Sequence, residues 1–128
     1  MSERTSDRIS CYETTVVTKP ETTATALKNL LDRLEKVVSN HGGEVLIRED
    51  WGKKKLAFTI NKETRGQYNY FSYTGKGDVV AEIERNIRIN ESTLRFASVR
   101  IMEEFDRAIF DKIHWSPIKN PPPVEAYE

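Results

Sequence analysis

Strand-like and helix-like segments follow one another along this chain in an order that few folds accommodate. Residues 11–18 are rich in Tyr, Thr and Val, which favour a pleated strand, and the segment ends before Pro20. Over residues 26–38 the apolar side chains recur with the period of one helical face. Thr22 or Thr23 can cap this helix, and glycines at 42 and 43 can end it. The pattern predicts a first strand followed by a first helix.

A long β-type segment comes next. Residues 44–60 form either two strands joined by a tight turn at Gly52 or one long strand bent there by a bulge. The bulge is favoured because glycine tolerates the left-handed backbone that a bulge requires. We expect a polar loop over 61–66 and an aromatic-rich strand over 67–73. The two strands together predict a hairpin.

A second helix and a last strand complete the order. Asp78 can cap a helix with an apolar stripe that ends near Asn90, and residues 93–101 alternate as a strand does. The order is therefore β-α-β-β-α-β. With right-handed crossovers it predicts an α+β ferredoxin-like sandwich, a four-stranded antiparallel sheet with two helices on one face.

The chain length of 128 residues suits one domain with short tails. We expect a flexible leader over 1–10, the ferredoxin-like domain over 11–105 and a Pro-rich C-terminal extension over 106–128. Residues 106–113 can form a short helix, whereas Pro117 and Pro121-Pro122-Pro123 favour an extended segment. No run approaches the roughly 18 apolar residues of a membrane helix, and the leader does not resemble a signal peptide. A cytoplasmic protein is expected.

Few residues of the chain could carry catalysis. Cys11 is the only cysteine, and His41 and His114 fall on other segments, so a metal or nucleophile site would need scattered residues. The Gly-Lys-Gly sequence at 75–77 lacks the spacing of a phosphate-binding loop and favours a plain turn. The sequence therefore predicts no enzymatic activity, no cofactor and no metal.

Charge is informative locally and not in total. Twenty basic and twenty acidic residues cancel, which removes the long-range attraction expected of a free nucleic-acid binder. Residues 48–65 nevertheless carry six basic against three acidic side chains, and residues 85–100 carry four against one. Each region is either a solvated face or a phosphate contact. An RNA-recognition platform on the aromatic strand is not supported, because only Arg65 and Gly66 match its sequence motif.

One run of residues is specific enough to indicate a family. EDWGKKKLAFTINK, residues 49–62, looks like the E-D-W-G-[RK]-[RK]-x-L-A-[YF]-x-I-x-K signature of bacterial small-subunit ribosomal protein six. Tyr12-Glu13 and Gly66-x-Tyr68 resemble the openings of that family's first and third strands, and residues 87–100 resemble its second-helix exit and last strand. The resemblance covers residues 11–103 in order.

The resemblance implies a structural protein of the small ribosomal subunit, acting in translation. It would bind the central domain of small-subunit rRNA together with small-subunit ribosomal protein eighteen, with no membrane or small-molecule partner. The implied rRNA contacts are Tyr12, Lys53, Lys54, Arg88, Asn90 and Arg95. The implied protein contacts are Leu56 and Phe58 on the bent strand and, because family tails can reach the neighbouring protein, Phe110, Trp115 and Ile118.

Other interpretations stay open from the residues alone. Leu56, Phe58 and Trp51 can equally belong to the core. Cys11 stands where the family often has a basic residue, so no phosphate contact is expected there. An extraribosomal RNA-binding or regulatory domain with the same fold is the alternative function. An acylphosphatase-like enzyme is disfavoured, since residues 18–21 lack an arginine-bearing phosphate cradle.

Overall fold

The computed structural model describes residues 8–113, which contain four strands and three helices. The strands form one antiparallel sheet in the order β2-β3-β1-β4, so β2 and β4 are its edges. The predicted order and the ferredoxin-like sandwich are confirmed. The elements are β1 (Ile9–Thr18), α1 (Ala24–Asn40), β2 (Val45–Ile60), β3 (Glu63–Lys76), α2 (Val79–Arg88), β4 (Thr93–Met102) and α3 (Arg107–Ile113).

Both long helices pack against the same side of the sheet, which we call the helix face. Burying each large aliphatic side chain there contributes about 1.5–3 kcal/mol. The opposite side, with Val17, Tyr68 and Tyr70, is called the open face, since neither α1 nor α2 covers it. The helix-face core is made of Val16, Phe71 and Tyr73 from the sheet, Leu30, Leu34, Val37 and Val38 from α1, and Val79, Ile83 and Ile87 from α2.

Gly52 bends β2 as a bulge, as the sequence favoured. The register against β3 shifts between Asp50 and Gly52, whose φ is 81°. The Asp50 carboxylate accepts a hydrogen bond of 2.8 Å from the Gly52 amide and holds the bend. Because successive strand residues alternate between faces, one extra residue moves every later side chain to the other face. The bulge thereby turns Lys54 and Leu56 toward the open face and Lys53 toward the helix face.

The connection between β2 and β3 is shorter than predicted. The polar loop expected over 61–66 is wrong: only Asn61 and Lys62 lie outside the strands, and both have positive φ, 49° and 69°. Two left-handed residues make the tight turn whose twist matches a hairpin, and asparagine tolerates that conformation. β3 consequently starts at Glu63, and its far end extends to Lys76.

The helix ends follow ordinary capping chemistry. Of the two proposed caps of α1, Thr23 is used: its hydroxyl accepts a hydrogen bond of 3.1 Å from the Ala26 amide. The helix ends where the Gly43 amide donates to the Val38 carbonyl at 3.0 Å. Asp78 stands at the start of α2 but makes no side-chain cap, and α2 ends at Arg88, two residues before the predicted limit.

The two ends of the described chain meet beside the sheet. β1 begins at Ile9, two residues earlier than predicted, and its carbonyl accepts a hydrogen bond of 2.7 Å from the Phe105 amide. The short helix considered for 106–113 is present as α3. The limits of the leader, domain and extension stay a prediction, and Trp115 and Ile118 lie outside the described residues.

Two glycines are required for different reasons, which a pair of alanine variants separates. Gly52→Ala places its Cβ in open space, so we expect only the cost of a left-handed backbone, about 1–2 kcal/mol. Gly43→Ala drives its Cβ into the Thr74 carbonyl oxygen, so the backbone must move and the loss of stability should be larger. Urea denaturation measures both free energies of unfolding; a Gly52 variant as unstable as the Gly43 variant would contradict this assignment.

Candidate nucleic-acid and protein interfaces

Lys53 and Lys54 lie on β2 directly after the bulge. Lys53 is exposed opposite Gln67 on the helix face, and Lys54 is half-buried opposite Gly66 on the open face. Within residues 8–113 neither ammonium pairs with a carboxylate. The two charges therefore flank the β2 edge from both sides, and a polyanion that passes along the edge can meet both.

Arg88 and Asn90 lie where α2 turns into β4. The exposed Arg88 guanidinium lies over the Phe96 ring, 5.2 Å from its centroid, which orients the charge on the helix face. The Asn90 side-chain carbonyl accepts a hydrogen bond of 2.8 Å from the Ser92 amide. Asn90 therefore shapes the turn that carries Arg88, and this turn alone accounts for a polar residue at that position.

Arg95 and Tyr12 lie on opposite faces of the sheet. Arg95 is exposed opposite Val17 and lines a groove on the open face, whereas Arg88 lies on the helix face over Phe96. The basic region predicted over 85–100 is thus split between the two sides of β4. Tyr12 is half-buried against the helix-face core, with its ring 5.7 Å from the Tyr73 ring, so most of its surface is used in packing.

A cluster of aromatic and acidic side chains covers part of the open face. The Trp51 ring stacks on the Tyr70 ring with centroids 5.3 Å apart. Tyr70 donates its hydroxyl to Glu13 at 2.8 Å, and the Trp51 indole N–H donates to Glu49 at 3.3 Å. Burial and the Glu13 carboxylate raise the pKa of Tyr70 above its ordinary value. These aromatic rings pair with one another, which agrees with the failure of the RNA-platform motif.

Sequence reasoning did not bring this cluster together. Glu13 and Tyr70 lie on neighbouring strands, and only the register of β1 on β3 makes them adjacent. The sequence signal that could have indicated the cluster is the Glu-Asp-Trp-Gly run, because the bulge at its glycine sets Trp51 against β3. A single strand pattern does not report which residue of another strand stands opposite it.

Leu56 and Phe58 have different environments on β2. Leu56 is 6 % exposed and packs against Val17 and Tyr68, so it belongs to an open-face core. Phe58 is 65 % exposed. Between Lys55 and Ile60 the chain takes five steps on β2 against two on β3, and this irregularity carries Phe58 away from the sheet. Of the two, Phe58 presents an apolar side chain to solvent.

Phe110 anchors α3 to the domain. It is 8 % exposed, and its ring lies 6.0 Å from the Phe105 ring. Arg107 pairs with Glu44 at 2.7 Å and ties the same helix to the start of β2. Ile109 is a large apolar side chain that α3 exposes, at 50 %. A partner that approaches α3 would therefore meet Ile109 before Phe110.

The described residues offer little for metal or redox chemistry. Over residues 8–113 no three His, Cys, Asp or Glu side chains converge as metal ligands. Cys11 is buried beside Ser72, and burial raises the pKa of its thiol, which keeps it protonated. No helix in that same range has the length and apolar content to span a membrane.

Comparisons with known proteins agree with the fold described above. The family model described as Ribosomal protein S6 matches residues 11–100. Small ribosomal subunit protein bS6 of Pelobacter propionicus is 36 % identical over 115 residues, which cover 90 % of this chain and 84 % of that protein. The bS6 protein of Geobacter metallireducens is 36 % identical over 117 residues, covering 91 % and 97 %. The crystal structure of 30S ribosomal protein S6 from Thermotoga maritima superposes with a TM-score of 0.66 at 22 % identity, covering 82 % of this chain and 94 % of that one, which shows the same fold.

The buried tyrosines predict an alkaline loss of stability. Burial raises the pKa of Tyr73 to about 12, and the pKa of Tyr70 is also raised. Because the unfolded chain ionises these phenols near pH 10 and the folded chain does not, the free energy of unfolding should fall as pH rises from about 10 to 12. In the Tyr70→Phe/Tyr73→Phe variant the free energy of unfolding should fall less over this range, by up to about 1.4 kcal/mol per pH unit for each tyrosine removed. Urea denaturation at pH 8, 10 and 11 tests this; equal slopes for both proteins would refute it.

Proposed function

Because this chain belongs to the ribosomal protein S6 family, we propose that it binds the central domain of small-subunit rRNA together with small-subunit ribosomal protein eighteen. The family consists of structural proteins of the small ribosomal subunit, so the chain is a ribosome-associated structural protein and not an enzyme. A cytoplasmic location belongs to the proposal. The observation that carries it is the family match over 11–100, which includes both basic sheet edges.

The β2 edge is the first proposed rRNA contact. Lys53 and Lys54 present two ammonium groups to opposite sides of one strand, without a described carboxylate to neutralise either. Phosphate contacts of this kind position a protein on RNA without reading its sequence, and each one makes binding more sensitive to salt. We assign this role to both lysines, which would contact RNA phosphates from the two sides of the β2 edge.

The α2–β4 corner is the second proposed rRNA contact. The Phe96 ring holds the Arg88 guanidinium in place, so less side-chain entropy is lost when a phosphate binds. Asn90 supports the turn, and Arg95 adds a charge on the open face. Tyr12 remains a proposed contact through the part of its side chain that packing leaves exposed.

The protein partner is proposed to dock on β2 around Phe58. An exposed phenylalanine beside an unpaired strand edge offers an aromatic anchor together with free backbone groups. Leu56 would support the site from behind, since it fills the core under the same strand. Phe110 would act by holding α3, and Trp115 and Ile118 extend the proposed contact beyond the described residues.

A net charge of zero suits a protein that shares its RNA site. Twenty positive and twenty negative side chains give the free chain little general attraction for phosphate. Two local basic regions on separate edges then orient the protein on the rRNA, and the partner protein supplies the remaining rRNA contacts. Weak rRNA binding by the isolated chain follows from this proposal.

Charge reversal tests the β2 edge. Lys53→Glu and Lys54→Glu should each weaken rRNA binding by the protein pair about tenfold or more and lower the slope of log affinity against log salt by about one. Lys36→Glu is the matched control, because Lys36 is an exposed lysine that belongs to α1 and to neither edge strand. Filter binding at several salt concentrations measures both quantities. If the β2 variants bound as tightly as the control, the phosphate assignment would fail.

A second substitution tests the protein partner. Phe58→Asp should weaken formation of the protein pair about thirtyfold, because a central exposed aromatic carries much of such an interface. Ile89→Asp serves as the control, since Ile89 is also exposed, at 58 %, but lies at the α2–β4 corner. Isothermal titration calorimetry without RNA gives the two affinities. Equal affinities for the two variants would move the partner site away from Phe58.

A further inference from the structure

The α2–β4 corner exposes a large apolar side chain, Ile89, that is not one of the proposed rRNA contacts. It is 58 % exposed and directly follows α2, which ends at Arg88. Each helical residue is turned by about 100° from the one before it, so Ile89 lies nearly opposite Ile87, which joins the core. A single exposed isoleucine is common on protein surfaces. The surroundings of Ile89 are less common, because they combine a fixed turn, a free hydrogen-bond donor and positive charge.

Backbone hydrogen bonds hold the turn that carries Ile89. The Ile89 amide donates to the Arg85 carbonyl at 3.1 Å, and the Asn90 amide donates to the Ile87 carbonyl at 3.2 Å. The Thr93 amide donates to the Asn90 carbonyl at 3.2 Å and joins the turn to β4. A β-branched side chain on a fixed backbone has few conformations to lose when a ligand binds. Ile89 is therefore preorganised for an apolar contact.

The Asn90 side chain offers a hydrogen-bond donor next to Ile89. Its Oδ1 oxygen accepts a hydrogen bond of 2.8 Å from the Ser92 amide. Because a backbone N–H can only donate, this bond identifies the oxygen end of the side-chain amide and leaves the NH2 group at the other end. No residue of 8–113 accepts a hydrogen bond from that NH2 group. A ligand with an acceptor group can therefore use it without displacing a contact of the protein.

Three cations lie around this turn. Arg88 precedes the turn and Arg95 follows it, and the one carboxylate between them is Glu91. The Lys19 backbone amide donates to the Ser92 carbonyl at 2.8 Å, so the chain just after β1 brings a third cation to the corner. Within the described part of the chain none of the three cations pairs with a carboxylate. The corner therefore favours an anionic partner.

We propose that Ile89 and the NH2 group of Asn90 bind one unpaired base of the rRNA, an inference that rests on the proposed rRNA contact at this corner. Ile89 packs against the face of the base, and the NH2 group donates to an acceptor on its edge. Lys19, Arg88 and Arg95 neutralise the phosphates on either side of it.

An unpaired base fits this corner better than a base pair does. In an A-form helix the bases are stacked on one another, and their major-groove edges lie too deep for side chains to reach. A base that has left the stack exposes one face to an apolar side chain and its edge to a donor. The corner presents one group of each kind, so its chemistry matches a single base.

Removal of the apolar side chain without a change of charge tests the contact. Ile89→Ser should weaken rRNA binding by the protein pair about tenfold, or about 1.4 kcal/mol, and leave the slope of log affinity against log salt unchanged. Arg88→Gln should lower that slope by about one, because it removes a phosphate contact. Ile109→Ser is the matched control, since Ile109 is exposed at 50 % on α3, beyond the other end of β4. Filter binding with the partner protein in excess measures both quantities.

These variants separate the base contact from the proposed function. If Ile89→Ser bound as tightly as Ile109→Ser while Arg88→Gln lowered the slope, the base contact would fail and the phosphate contact would stand. If Arg88→Gln left the slope unchanged, the proposed rRNA contact at the corner would fail and the base contact with it. Isothermal titration calorimetry without RNA examines a protein occupant. Weaker pairing of Ile89→Ser with the partner protein would assign Ile89 to that protein and overturn the proposal.

Chemical probing of the rRNA provides a second readout. Dimethyl sulfate and carbodiimide modify unpaired bases, so the unchanged protein pair should protect one base that Ile89→Ser leaves reactive, while the other protections remain. Asn90→Asp should expose the same base, since its carboxylate still accepts from the Ser92 amide but has no donor. Circular dichroism checks that both variants fold. Loss of protection at different bases in the two variants, or at no base, would refute the contact.

Discussion

Packing of α1 and α2 against one side of a four-stranded sheet is the constraint on which the other features depend. It buries apolar residues from the two central strands, β1 and β3, and from both helices in one core. That core leaves three surfaces for other roles, namely the open face and the edges β2 and β4. Since unpaired strand edges and an uncovered face invite partners, a structural ribosomal protein with no chemistry of its own can use each surface for a separate contact.

The bulge at Gly52 decides what the β2 edge presents. Without the extra residue, Lys53 would take the face that Lys54 now occupies, and Leu56 would lose its contact with Val17 and Tyr68. One glycine in a left-handed conformation therefore decides which face of the sheet the core residue Leu56 and each of the two proposed phosphate contacts occupy. The same bend presses Trp51 onto Tyr70, so the aromatic residues of the open face stabilise the hairpin.

The proposed contacts distribute a small amount of charge over a large surface. Lys53 and Lys54 lie at one edge of the sheet, and Arg88 and Arg95 lie near the other, on its two faces. None of these positions forms a concentrated basic patch. When rRNA binding is shared with a protein neighbour, the basic side chains of this chain mainly need to orient it on the rRNA and not to attract the rRNA from a distance. A neutral total charge is compatible with that role.

The sequence by itself determined the order of elements and the family and favoured the bulge, because these features depend on local periodicity, on a contiguous signature and on a glycine. It failed at the 61–66 loop, because two left-handed residues look like any polar pair until the strands are paired. Only the tertiary structure decided that Leu56 is buried and Phe58 exposed, that Arg88 and Arg95 lie on opposite faces, and that a fixed turn presents Ile89 to solvent. Those facts depend on strand register and helix placement, which bring together residues far apart in the chain. The sequence pattern of a single segment does not indicate them.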